Sequence, residues 1–212
     1  MNVTVLSRAT AAIYRLLVVE LLLLLTTVPT LVALTLLDRD ASNAPLAAVC
    51  AAPLGPALSA ALYALRHGDD EPATAFWRGY RGNALPVLKL WLPLLAWLAV
   101  FAVNLGNFSS AGVPGWWGVL LVAVAVAAVL WAVNALVITS LFTFRTVDAA
   151  RLALHFLPRG ATVANAGVLI AAAGVTLLAS EAVTALLGSL LAAALLWNSR
   201  AMTTAIRDRF TA

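Results

Sequence analysis

Long apolar stretches alternate along the chain with short clumps of charge. The uncharged intervals are long enough to read as membrane spans, because about 20 apolar residues cross a hydrocarbon core of about 30 Å. Residues 16–37 carry one charge, Glu20, and residues 44–65 carry none. Residues 90–144 are wholly uncharged, room for two helices, and the middle of this interval, Asn107-Phe108-Ser109-Ser110-Ala111-Gly112-Val113-Pro114-Gly115, is a run of turn formers. It divides the interval into 90–106 and 116–144, the second longer than a bilayer requires, which predicts tilt or a projecting end. Residues 160–180 and 182–199 complete the set, parted by a turn at Glu181. The pattern predicts an all-α fold. A single polytopic membrane bundle occupies residues 1–212, with six transmembrane helices and two short cytoplasmic interfacial helices.

Composition agrees. Of the 212 residues, 63% are hydrophobic and 10% charged, with a mean hydropathy of +0.99, whereas a soluble domain averages nearer half apolar and a quarter charged. Six spans and their loops leave no length for a separate soluble domain. One cysteine excludes a disulfide framework, and two histidines beside it argue against a buried zinc cluster, so neither metal nor cofactor is expected. The first apolar run follows Arg8 and Arg15 as in a signal peptide, but it is too long and lacks an Ala-x-Ala end, so it reads as a retained first span.

Charge then gives orientation, because Lys and Arg in short loops stay on the cytoplasmic side. Arg8 and Arg15 precede the first span; Arg66, Arg78, Arg81 and Lys89 follow the second; Arg145, Arg151 and Arg159 follow the fourth; Arg200, Arg207 and Arg209 form the tail. The opposite loops hold only Arg39, flanked by Asp38 and Asp40. Twelve of the 13 basic residues thus face one compartment, which places both termini in the cytoplasm. The pI of about 10.0 follows from this topology and calls for no nucleic-acid partner. Trp116 and Trp117 fall at the outer interface and Trp91 and Trp197 near the inner one, while Trp97 and Trp131 sit mid-span and are expected to pack on neighbouring helices.

Each long cytoplasmic loop predicts a lateral helix. Asp69-Asp70-Glu71-Pro72 reads as a helix start, with acid at the positive end and proline in the first turn. Phe76, Trp77 and Tyr80 then share a face beside Arg78 and Arg81, and Gly79 and Gly82 predict that the helix is short. Such a segment lies at headgroup level with rings inward and guanidinium groups outward. A lipid-facing anchor is the simpler reading, and a docking surface for a cytoplasmic partner is the alternative. In the second loop Asp148, Arg151 and His155 line one side and Val147, Ala150, Leu154 and Leu157 the other, with Pro158 as terminator. Asp148 and Arg151 can pair across one turn, and His155 lacks the companions that catalysis would need.

Charge within the membrane is the first place to look for function. Glu20 lies five residues past Arg15, within reach of the inner interface, and pairing with a basic loop residue such as Arg66 or Arg81 is favoured over a proton relay. Asn104, Asn134 and Asn165 are expected to hydrogen-bond between helices. Pro53-Leu54-Gly55-Pro56 breaks the second span, as transporters do around a substrate, although a packed kink needs no ligand and is favoured. Gly167-x-x-x-Ala171 and Gly188-x-x-x-Ala192 permit close helix packing. No residue set has the arrangement of a catalytic site, so an enzyme is not expected.

Val28-Pro29-Thr30, then Gly55-Pro56-Ala57-x-x-Ala60-x-x-Tyr63-x-x-Arg66, then Phe76-x-Arg78-x-Tyr80-Arg81-x-Asn83 together form a signature over about the first 90 residues. In these motifs the chain resembles the YesL-like family of bacterial integral membrane proteins, a domain of unknown function. Members are commonly encoded beside carbohydrate ABC importers and glycoside-degrading enzymes. The resemblance implies an inner-membrane protein that assists carbohydrate uptake, with a sugar ABC importer component as partner besides the lipid bilayer. It carries over no catalytic residue. A small-solute transporter or channel, or a permease-like subunit, is the alternative, motivated by Glu20 and the broken second span. Glu20, Gly55, Pro56, Tyr63, Arg66, Phe76, Arg78, Tyr80, Arg81 and Asn83 are the candidate interaction residues.

Overall fold

The computed structural model describes residues 3–38, 40–178, 183 and 186–210. Arg39 and the turn at Glu181 lie outside the described residues. The described chain is helical, with no strand. Its elements are α1 (Val3–Thr35), a 3-10 turn (Ala41–Asn43), α2 (Ala44–Cys50), α3 (Leu54–Arg66), α4 (Pro72–Gly106) and α5 (Trp116–Leu141). Beyond these come α6 (Thr146–Phe156), α7 (Gly160–Leu178), α8 (Gly188–Asn198) and α9 (Arg200–Phe210). Three helices, within α1, α4 and α5, are each long and apolar enough to cross a membrane. The number rises to five if α2 with α3, bent by 44°, and α6 with α7, bent by 89°, each form one span. Several such helices in one chain are the makings of a multi-pass membrane protein. The described part of 182–199 includes the 11-residue α8, about 16 Å long and short of a full crossing by itself.

The expected breaks fall where local chemistry puts them. Asp40 caps the 3-10 turn, its carboxylate accepting from the Ser42 hydroxyl at 2.7 Å, and chiefly this bond holds the Asp40 carboxyl below the usual range. Residues 107–115 form the turn between α4 and α5, where Gly112 adopts φ +63°, a conformation that glycine enters without a Cβ penalty. Pro29, Pro86 and Pro93 sit inside continuous helices.

One difference is large. The lateral helix expected after Asp69 and the third span are a single 35-residue helix, α4, which runs through Gly79 and Gly82 without interruption. Helix propensity alone disfavours this. Tertiary packing overrides it at Gly79, where a Cβ would lie 2.7 Å from the Cβ of Tyr63 on α3. The absent side chain is what lets the two helices meet.

Burial is uneven along the bundle. α3 contributes Gly55, Pro56, Ala57, Ser59, Ala60, Ala61, Leu62 and Ala64 to the interior, and α5 is almost continuously buried from Ala132 to Ser140. Between residues 88 and 130, by contrast, only Leu94 and Ala99 are buried. That region presents Trp97, Val100, Val119, Val122 and Val126 outward, an apolar surface suited to lipid. Polar pairs stitch the packed half: Ser59 with Ser140 at 2.8 Å, Asn134 with Thr162 at 2.8 Å, and Asn165 with Ser199 at 3.1 Å. Asn104 instead bonds the Val100 carbonyl of its own helix.

α6 packs on the bundle by a third face, between the polar and apolar sides its pattern separates. Ala149, Ala153 and Phe156 are buried, while Val147 and Leu154 are exposed. Two alanines permit a close approach to α5, fixed by the Trp131 indole, which donates to the Ala150 carbonyl at 3.0 Å. Asp148 and Arg151 form no ion pair, and His155 Nε2 lies 2.7 Å from Arg159 Nη2, accepting from it. The small-residue motifs divide. Gly188 and Ala192 are buried, and a Cβ on Gly188 would meet Leu23 of α1, whereas Gly167 has open space around it.

Candidate functional site

The signature residues converge on the antiparallel hairpin of α3 and α4, whose connection, residues 67–71, is held from two sides. A helix ends with carbonyls that lack an intrahelical partner and carry the negative end of its dipole. Here a guanidinium from α1 takes them up. Arg15 Nη1 donates to the carbonyls of Ala64 at 3.0 Å and His67 at 2.7 Å, and Nη2 donates to those of Gly68 and, at 2.8 Å, Asp70. Only arginine offers several donors in one rigid fork. The sequence counted Arg15 among the topogenic charges and gave no sign of this role, because its partners are backbone atoms about 50 residues away.

On the other side, Arg78 pairs with Asp70 at 2.8 Å. Both side chains are largely exposed, so the pair adds little stability. Glu71 is the N-cap of α4, as the acidic cluster suggested. Its carboxylate accepts from the Thr74 hydroxyl at 2.6 Å and the Thr74 amide at 2.7 Å, with Pro72 in the first turn. These bonds, the hydroxyl first, hold the Glu71 carboxyl below its ordinary range.

Of the three aromatic residues expected to face lipid, Phe76 does not. Phe76 is fully buried against the protein core, with Trp77 edge-on at 5.8 Å and Tyr80 stacked at 6.4 Å. Trp77 stays exposed, and Tyr80 is half-buried. Tyr63 stacks on His67 at 4.0 Å, and His67 Nδ1 lies 2.9 Å from the Tyr63 carbonyl oxygen, which can only accept, so this nitrogen carries a proton. Arg66 and Arg81 project outward, and Asn83 donates to the Ser140 carbonyl at 3.3 Å, tying α4 to α5.

At the far end of the hairpin the break between α2 and α3 falls at residues 51–53, and Gly55 and Pro56 lie just after it, buried in the first turn of α3. A broken helix leaves carbonyls to satisfy. The Trp91 indole donates to the Ala51 carbonyl at 3.1 Å, and its ring lies so close over Gly55 that a Cβ there would fall 2.7 Å from it. Trp91 therefore fills the break as a structural plug, where sequence alone placed it in an interfacial belt.

Glu20 is set apart from this hairpin and meets neither Arg66 nor Arg81. Its Oε2 accepts from the backbone N–H of Ser189 at the start of α8, and its Oε1 is buried without a hydrogen-bond partner among the described residues. The reason is positional: the positive end of α8 reaches Glu20 on the bundle side of α1, which suits a carboxylate. Among the described residues no group of three His, Cys, Asp or Glu side chains could hold a metal ion. The hairpin offers binding chemistry, a braced basic and aromatic knob. No protein-family model, curated protein or solved structure matches the chain.

Proposed function

We propose that this chain is a multi-pass protein of the bacterial cytoplasmic membrane, with six spans and both termini inside, that serves as an accessory or interaction component of carbohydrate uptake. The carrying observation is the α3–α4 hairpin. Arg15 spends four hydrogen bonds on fixing its bend, leaving Arg66, Arg81 and Trp77 exposed on a rigid mount. Exposed arginine and aromatic side chains on a preorganised surface are what protein interfaces favour. The resemblance of Gly55 to Asn83 to the YesL-like signature supports a sugar ABC importer component as the partner. On this reading the twelve basic residues on one side set the orientation.

The test is site-specific photo-crosslinking from Trp77 and Arg81 in the native host, with mass spectrometry of the adducts. Adducts with an ABC importer subunit that vanish in Arg15→Gln support the reading; crosslinks to lipid alone overturn it. Arg78→Cys in a Cys50→Ser background should be labelled only after the cells are opened. Labelling of intact cells overturns the orientation.

A second reading, a small-solute transporter or channel or a permease-like subunit, draws on Glu20. A buried carboxylate oxygen without a hydrogen-bond partner among the described residues, at the head of a short helix, resembles the half-helix sites of transporters. Solute flux in vesicles reconstituted with the parent chain, abolished by Glu20→Gln, supports it; no flux from the parent chain with any sugar or ion tested overturns it.

A further inference from the structure

We infer that the groove between α4 and α5, closed at one end by α6, is a binding site for one anionic glycerophospholipid. The groove has a volume of about 720 Å³. Pro93 and Trp97 of α4 and Val124 and Ala127 of α5 form its walls, and Lys89 and Arg151 are its two charged lining residues.

The two cations lie toward the same end. α4 and α5 are antiparallel here, so Lys89 and Trp131 lie toward one end and Trp97 and Val124 toward the other. The bond from Trp131 to Ala150 brings α6, and with it Arg151, to the Lys89 end. From Lys89 to Trp97 the apolar wall runs about 12 Å along α4. Neither cation has an ion-pair partner among the described residues, and no acidic residue lines the groove. Arg151 in particular stands on the same outward face of α6 as Val147 and Leu154, a charge set in an apolar surface.

Charge complementarity and the walls select the occupant. A cation at the margin of hydrocarbon gains most from a phosphate within reach, and basic pockets between membrane helices on the headgroup side suit anionic lipid. The walls continue into the exposed apolar flanks of α4 and α5, so the groove is entered sideways from lipid. A phosphodiester between Lys89 and Arg151 would then leave one acyl chain lying against Pro93, Trp97, Val124 and Ala127. A zwitterionic lipid fills the same walls but adds a positive group beside the two cations. The inference rests on the membrane reading and is independent of any role in sugar uptake.

The experiment is native mass spectrometry of the full chain, delipidated in detergent and then given equal amounts of phosphatidylglycerol and phosphatidylcholine. Two cations near a phosphate predict a preference for phosphatidylglycerol of about tenfold. The double variant Lys89→Gln/Arg151→Gln should bring the two lipids to parity, and Ala127→Phe, which fills the groove, should lower retention of both. Arg8→Gln/Arg209→Gln, which removes the same two charges from exposed positions elsewhere, should leave the preference intact. A preference that survives the Lys89→Gln/Arg151→Gln variant, or that falls as far in Arg8→Gln/Arg209→Gln, overturns the site. Retention of both lipids without preference overturns the site alone, whereas retention of neither overturns it together with the membrane reading.

Discussion

The carboxylate of Glu20, in the first helix, accepts a hydrogen bond from the backbone N–H of Ser189, 169 residues further along the chain. The contact joins α1 to the first turn of α8, whose orphan amides and dipole both favour a negative group. Beside it, Gly188 lies against Leu23, so the charge and the close packing secure the same junction. Glu20→Ala removes a charge-assisted bond and should destabilise the folded protein by about 1–3 kcal/mol. Glu20→Gln keeps an acceptor oxygen and should lose less. Thermal unfolding in detergent, read for both variants against the parent, checks the order.

Two glycines on α4, three residues apart, should respond oppositely to the same change. A Cβ at Gly79 would press on the Cβ of Tyr63, a rigid atom, while Gly82 has open space. Gly79→Ala should therefore cost about 1–3 kcal/mol through forced separation of α3 and α4. Gly82→Ala should stabilise by up to about 1 kcal/mol through helix propensity. Denaturation of the two single variants decides, and equal shifts would remove Gly79 from the helix contact.

Arg15→Lys is not conservative here. A lysine presents a compact charge in place of the fork that serves the carbonyls of Ala64, His67, Gly68 and Asp70. The bend at 67–71 should open more often in Arg15→Lys, and still more in Arg15→Gln. Hydrogen exchange at the amides of residues 67–71 should accelerate in that order while α5 amides are unchanged.

The cap on α4 carries a pH signature. Because the folded Glu71 carboxyl is held below its ordinary range, the cap contributes fully above the ordinary glutamate pKa. The contribution is lost as pH falls through the lowered folded value. Melting temperature should therefore drop across that acidic window, and Glu71→Gln, uncharged throughout, should flatten the drop. The readout is the difference between the two pH profiles, since Asp40 has its own lowered carboxyl in both proteins.

Much of the helix layout was legible in the chain, because it rests on local causes. Charges mark where helices leave the apolar phase, Pro53 and Pro158 stop them, and the run from Asn107 to Gly115 turns the chain. Glu71 was readable as a cap for the same reason, since a carboxylate three residues before Thr74 needs no distant partner.

What an apolar residue touches was decided by the tertiary structure. Hydropathy separates water from oil but cannot tell a neighbouring helix from a lipid tail, since both are apolar. Phe76 therefore read as a membrane anchor and lies in the core, and the residues by which α6 packs, Ala149, Ala153 and Phe156, belong to neither of the two sides its pattern separates. Long-range partners were hidden in the same way: Arg15 serves carbonyls of α3 and the following bend, Trp91 the Ala51 carbonyl, and Glu20 the head of α8. Backbone groups at helix ends and breaks look alike in any sequence. Only the packing of α1, α3, α4 and α8 determines which of them a given side chain can reach.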